Sequence, residues 1–238
     1  MVLEGMFPEE FLQVPSECLI LTMQKNQKYF PLQDKNNKLT HRFLLVANTV
    51  SSRPEAIIAG NQRVVKARLE DARFFYQEDQ KKPLLSRLND LKQVVYHYKL
   101  GSVYEKSERQ GALAIFLAQK IGADPLASEK AARLGLADLN TEMVGEFPEL
   151  QGVMGKYYAL NEGIEPEIAT AIEQRYWPRF AEDKLPEGKV AQSVALADKL
   201  ETLVGIWGIG LAPTGEKDPY ALRRAALGAC LLYTSPSP

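Results

Sequence analysis

At 238 residues and 45% apolar, the chain is long enough to bury a core as one large domain or two small ones, and its formal charge of −1 excludes a global basic field that would draw in nucleic acid. Any RNA contact must therefore come from a local cluster of Lys and Arg. Cys18 and Cys230 are too far apart in sequence to suggest a disulfide framework or zinc spacing, the first residues are acidic where a signal peptide would be basic, and the longest apolar run, Ala112 to Ala118, falls far short of the ~20 residues that span a bilayer. A soluble, cytoplasmic chain with no membrane contact is the expectation.

In chain order, Phe7 to Gln13 reads as a short helix after Pro8, and Pro15 suits the first turn of a second helix carrying Cys18, Leu19, Ile20 and Met23. The period then changes. Lys28 to Gln33 and Leu39 to Val46 are rich in strand formers and flank the polar turn Asp34 to Lys38, which predicts a β-hairpin whose first strand Pro31 confines to an edge or a bulge. A lone hairpin is marginal, so residues 1–53 read as the remnant, helix plus hairpin, of a larger α/β domain.

From Pro54 the pattern is helical, and residues 54–228 are expected to form an all-helical domain. Ile58, Val65, Leu69, Ala72 and Tyr76 predict a long amphipathic helix over 54–78, with Arg63, Lys66, Glu70 and Arg73 on its other side. Such a stripe is either a solvated face with internal ion pairs or a contact for RNA. Pro83 is expected to open a helix bearing Leu84, Leu88, Leu91, Val95 and Tyr98, ended by Gly101 and containing His97 as a packing or surface residue. Tyr104 to Ile121 reads as a third long helix, stopped at Gly122, and Asp124-Pro125 as the cap and first residue of the next.

Leu136 to Leu160 is the densest run of carboxylates and the stretch around which the helices are expected to pack. On one unbroken helix Asp138, Glu142, Glu146 and Glu149 would share a face, as a hard-cation site or a solvated surface would. Gly145 and Pro148 predict a break between Met143 and Leu150, which disperses that face and favours solvated carboxylates. Further helices are expected from Pro166 to Tyr176 and from Val190 to Gly205. Gly205, Gly208 and Gly210 follow no strand and precede no GK[ST], so they are not read as a phosphate loop. Asp218-Pro219 is expected to start a last helix bearing Arg223 and Arg224. Lys217, Tyr220, Arg223 and Arg224 form the best local cluster for RNA, with Arg63, Lys66, Arg68 and Arg73 second. Adjacent arginines diverge by about 100° on a helix, so at most one of the last pair is expected to point squarely at a ligand, with an acid such as Glu201 or Asp218 as a partner for the other.

The segments LGSVYEKSERQGALA, EMVGEFPELQGVMGKYYAL, VALADKLETLVG and PTGEKDPYALRRAALG, together with the runs from NQKYFPLQD to RVVKARLEDARFFYQED, resemble the β subunit of bacterial two-subunit glycyl-tRNA synthetase from about Phe11 to Gly228. The family's β subunit is much longer, so the resemblance implies an internal fragment, without the first domain or the anticodon-binding region. It also implies that the helical domain is similar to the HD-type phosphohydrolase fold, whose metal site is a His, a His-Asp pair and a later Asp. The pair's place is taken here by Ala137-Asp138 and the later Asp by Asp198. Two carboxylates without imidazoles hold a transition metal poorly, so a mainly α, HD-like scaffold with no catalytic residue and no metal is expected.

The function so implied is part of the non-catalytic β subunit of tetrameric glycine–tRNA ligase, with the α subunit and tRNA(Gly) as partners and with ATP and Mg²⁺ held in the α subunit. A metal-dependent HD-type phosphohydrolase and a helical protein-interaction module are the alternatives. Residues 229–238, ACLLYTSPSP, depart from the family and from the helical period, and are read as a non-native tail.

Overall fold

The computed structural model describes residues 1–234, the Asn26 side chain excepted. The chain divides into two compact units: Met1–Lys81 with Glu146–Leu150, and Lys82–Gly145 with the residues from Gln151 onward.

In the first unit β1 (Val2–Met6), β2 (Phe30–Gln33) and β3 (Leu39–Val46) form an antiparallel sheet of order β1-β3-β2, joined by a 3-10 turn (Glu9–Gln13) and α1 (Ser16–Gln27). The hairpin is where the strand formers put it. Pro31 lies on edge strand β2 beside a register shift, and Asp34 Oδ1 ties the turn by accepting the Asn36 and Lys38 amides. β1 corrects the expectation of a two-stranded remnant. It pairs with β3 along its length, Leu3 opposite Leu45 and Gly5 opposite Phe43, yet exposes most of its side chains, so it carries little hydrophobic signal. Gly5 is required there: a Cβ would stand 2.6 Å from the Phe43 ring.

α2 (Pro54–Asp79) buries Val65, Leu69 and Ala72 against α1 and β1. It therefore clusters with the sheet, and the division after Lys81 differs from the boundary at 53/54 read from the change of period. An amphipathic stripe shows that a helix is half buried but does not say what buries it.

In the second unit α4 (Val103–Ile121), α5 (Pro125–Leu134), α8 (Pro166–Gln174) and α9 (Lys189–Gly208) pack around Ala114, Ala118, Ala131, Ala132, Ile168, Ala169, Ile172, Val194 and Ala197. α4 opens with a capping box between Ser102 and Glu105 and closes at Gly122 (φ 70°). α5 opens as read, Asp124 Oδ1 accepting the Leu126 and Ala127 amides ahead of Pro125.

The predicted helix from Pro83 to Tyr98 is corrected. α3 (Leu84–Asp90) gives way to a 3-10 turn and then to β4 (Val95–His97), which pairs with β5 (Gly101–Ser102). His97 thus sits on a strand, its Nδ1 accepting the Lys99 amide and its ring against Tyr98 and Tyr220. The run Val94-Val95-Tyr96 favours a strand, and only the leucine spacing before it resembled a longer helix.

Residues 136–161 break as predicted, into a 3-10 turn (Ala137–Asn140), α6 (Glu142–Glu146), a 3-10 turn (Pro148–Leu150) and α7 (Val153–Asn161). Glu142, Glu146 and Glu149 are exposed, whereas Asp138 is wholly buried, which corrects its reading as one of four solvated carboxylates.

α10 (Leu222–Thr234) starts later than Asp218-Pro219 suggested, because Ala221 adopts φ 53° and interrupts the helix there. It runs on to Thr234, so the helical period does not break after Gly228. Ser235 to Pro238, the rest of the stretch read as a non-native tail, lie outside the described residues. Among the described residues no helix is long and apolar enough to cross a membrane.

Candidate functional site

Asp138 and Asp198, the two acidic positions singled out by the resemblance to HD-type folds, are tied into the second unit by different partners. Asp138 lies in the 3-10 turn after Gly135, and its Oδ2 accepts the backbone amides of Gly152 (2.6 Å) and Gly155 (3.0 Å) at the start of α7. A carboxylate at a helix N-terminus meets unsatisfied amides and the positive end of the dipole. Glycine makes the approach possible. Gly152 has φ 83° with the Tyr176 ring where a Cβ would be, and a Cβ at Gly155 would stand 3.2 Å from Asp138 Oδ2 and 2.7 Å from Ile172. Burial pushes the Asp138 carboxyl up to about 6, against the pull of the two amides and of Arg175, and its Oδ1 has no partner.

Asp198, on α9, meets Arg175. This arginine follows α8, is 0% exposed, and donates from Nη2 to Asp198 Oδ1 (2.7 Å) and Gln110 Oε1 (2.7 Å), and from Nη1 to the Ala132 carbonyl (3.3 Å). Gln110 Nε2 donates to the same Asp198 oxygen at 2.8 Å. Burial pushes the Asp198 carboxyl up, but the charges of Arg175, Lys106 and Lys199 outweigh it and hold it below the usual carboxylate range. Gly135 leaves room for the guanidinium, since a Cβ there would stand 2.5 Å from Arg175 Nη1.

These residues do not fit a divalent ion. Asp198 is committed to a fixed cation, Asp138 to backbone amides, and no imidazole joins them: His97 is on β4 and His41 pairs with Glu9 in the first unit. Among the described residues no three His, Cys, Asp or Glu side chains come together as a metal site.

The centre continues along the α4 and α9 faces. Glu201 forms an ion pair with Lys106 (2.9 Å) and accepts from Arg109 (2.8 Å), Lys106 also donates to Thr202, and Lys199 Nζ donates to the Arg175 and Trp177 carbonyls (3.4 and 2.6 Å). Burial brings the Lys199 amine down to about 8. Glu201 is thus committed to α4, which corrects its reading as a partner for Arg223 or Arg224. Asp218 accepts the Leu222 and Arg223 amides instead.

The basic candidates fall into two groups in different units. On α2, Arg63 is exposed, Lys66 and Arg68 lie 3.7 Å from Glu70 and Asp71, and Arg73 pairs with Glu10 (3.1 Å) above the Phe11 ring. Near α10, Lys217 lies in the exposed turn facing Thr214, and Tyr220 is half-buried against His97. Arg223 and Arg224 both line an open hollow of about 620 Å³ with Arg179, Phe180 and Leu227.

A sequence model described as the glycyl-tRNA synthetase beta subunit matches residues 1–236. The chain belongs to the glycyl-tRNA synthetase β subunit family. It is 67% identical over 227 residues to the glycine–tRNA ligase beta subunit of Neisseria gonorrhoeae (95% of this chain, 33% of the relative). It is 59% identical over 222 residues to that of Ralstonia nicotianae (93% and 32%), and 58% over 235 residues to that of Aromatoleum aromaticum (98% and 34%). The chain thus spans about a third of the length of these curated β-subunit relatives.

In this member of the β subunit family the residues that organise the buried centre, Arg175, Gln110, Lys106 and Lys199, were not among the sequence candidates. A signal existed. VALADKLETLVG places Asp198, Lys199 and Glu201 in a largely apolar helix, and charges there ask for partners on a packed neighbour. Arg179 and Phe180, in the loop after α8, carried no periodic signal.

Proposed function

We propose that this chain is a non-catalytic part of the β subunit of a two-subunit glycine–tRNA ligase. It helps bind and position tRNA(Gly) for aminoacylation by an α subunit that holds ATP, glycine and Mg²⁺. The curated relatives' shared name supports the ligase assignment. The observation that carries the non-catalytic reading is Arg175. Its buried guanidinium engages Asp198 where an HD-type hydrolase would need a metal ligand, so the acidic positions act as fixed links between helices. What the β subunit then contributes to acyl transfer is orientation, holding the tRNA end beside the adenylate.

The test uses the full β subunit carrying this chain, with and without the α subunit. Glycyl-tRNA should form only with both present, and changing Arg223 and Arg224 together to Ala should weaken tRNA binding while circular dichroism stays unchanged. Charging by the β subunit alone would overturn the division of labour. Stoichiometric divalent metal, lost in Asp198→Ala and accompanied by turnover of a phosphate ester, would replace it with the hydrolase reading.

A further inference from the structure

The hollow beside α10 joins features that packing does not require. Phe180 leaves 59% of its surface in water and Leu227 46%. Arg223 and Arg224 occupy the first turn of α10, where the helix dipole disfavours cations. That turn holds no acidic residue, and the one carboxylate capping it, Asp218, is engaged by the Leu222 and Arg223 amides. Arg223 reaches the Gly215 carbonyl and Arg179 pairs with Asp183, but Arg224 makes no hydrogen bond or ion pair with any described residue. The hollow therefore offers a guanidinium free of hydrogen bonds and ion pairs among the described residues, beside an exposed aromatic ring. Its volume of about 620 Å³ lies within the ~300–1,000 Å³ of small-ligand sites.

We propose that this hollow seats one unpaired nucleotide of an RNA strand, its base stacked on Phe180 and a flanking phosphate held by Arg224 with Arg223. The proposal rests on the tRNA-handling reading above and narrows it to a single-stranded feature. Guanidinium forks match phosphate oxygens. A duplex hides its base faces between stacked neighbours, so only an unstacked base can lie flat on the Phe180 ring. An acidic peptide would answer the charges but has no use for an exposed ring in the same hollow.

The experiment measures binding of tRNA(Gly), of a single-stranded oligouridylate and of a duplex RNA to the full β subunit with its α partner, across a salt series. Phe180→Ala should weaken tRNA and oligouridylate about tenfold, leaving duplex binding and the salt slope unchanged, and Phe180→Trp should restore affinity. Arg224→Ala should reduce the slope of log K against log salt by about 1. Unchanged affinity in Phe180→Ala would overturn the seat and leave the tRNA-handling reading standing. So would a loss of α–β association with tRNA affinity intact, which would mark the hollow as a protein contact. If the wild-type assembly bound no tRNA, the broader reading would fall, and the seat with it.

Discussion

Arg175 and Arg224 belong to the same unit, yet one is wholly buried with both its Nη groups bonded and the other is exposed with no partner among the described residues. Around Arg175 every neighbouring charge is committed: Asp198 to the guanidinium, Glu201 to Lys106 and Arg109, Lys199 to two carbonyls. Arg224 forms no hydrogen bond or ion pair among the described residues, and Asp218, held by the α10 amides, opposes its charge only through space. Charge enclosed with its partners holds helices together, whereas charge left over at a helix end is available to a ligand. The composition, with its net charge of −1, distinguishes neither.

The largest effect that would sharpen this contrast is at Arg175. Truncation to Ala empties the buried Arg175 site and leaves the partly buried Asp198 without its cation, and should cost about 3–5 kcal/mol, read from urea unfolding. Replacing Arg175 by Met and Asp198 by Leu together should recover much of the loss, because apolar pairs of similar volume often serve as well as a buried ion pair. A loss under about 1 kcal/mol in Arg175→Ala would show that the guanidinium is not what joins α8 to α9.

Next in size is the pH dependence of Asp138. Its carboxyl titrates near 6 in the folded protein against an ordinary 3.8, so between those values the folded state holds more protons than the unfolded chain. The stability this contributes is complete below about pH 4 and lost as pH rises through about 6, on the order of 3 kcal/mol in all. Asp198 has the opposite sign: its contribution is present above 3.8 and lost as pH falls through its depressed value. Unfolding midpoints of wild type and Asp138→Asn should therefore diverge as pH rises from 4 to 6 and run parallel above it. Parallel curves throughout would mean that the Gly152 and Gly155 amides fully offset the burial of the charge.

Gly155→Ala tests the same centre by shape. A methyl 2.7 Å from Ile172 and 3.2 Å from Asp138 Oδ2 must displace one or the other, at a cost of about 1–3 kcal/mol in the same unfolding assay. Gly145→Ala, with nothing within 4 Å of the new methyl, is the control and should cost nothing measurable.

How much of this was legible depends on where the determining partner lies along the chain. Asp124-Pro125, Gly122 and the break at Gly145 to Pro148 act within a turn of themselves, and the chain follows them. β1 depends on β3, some forty residues on, and shows water most of its side chains, so neither period nor propensity marks it. Leu84, Leu88, Leu91 and Val95 keep helical spacing into a segment that β5 turns into a strand. The acidic pair could be pointed to because family resemblance preserves position, but the residue that explains it could not. Arg175 is held by α4 and α9, sixty-five residues before and twenty-three after it. Arg223 and Arg224 were visible as a doublet of charge. Phe180, which turns that doublet into a hollow of defined chemistry, became visible only when the loop after α8 was seen beside α10.

The smallest predicted effect separates the two arginine sites by sign. Cations in the first turn of a helix oppose its dipole, and Asp218 offsets this only in part, so changing both Arg223 and Arg224 to Ala removes a net unfavourable interaction. Stability should rise by a few tenths of a kcal/mol, net of the bond from Arg223 to the Gly215 carbonyl, with the gain shrinking as salt screens the field. Alanine also has the higher helix propensity, which acts in the same direction but does not respond to salt. A salt series on the melting temperature isolates the electrostatic part. If the double variant is instead destabilised by more than about 1 kcal/mol, these arginines hold the fold together as Arg175 does, and their exposure does not mark them for a ligand.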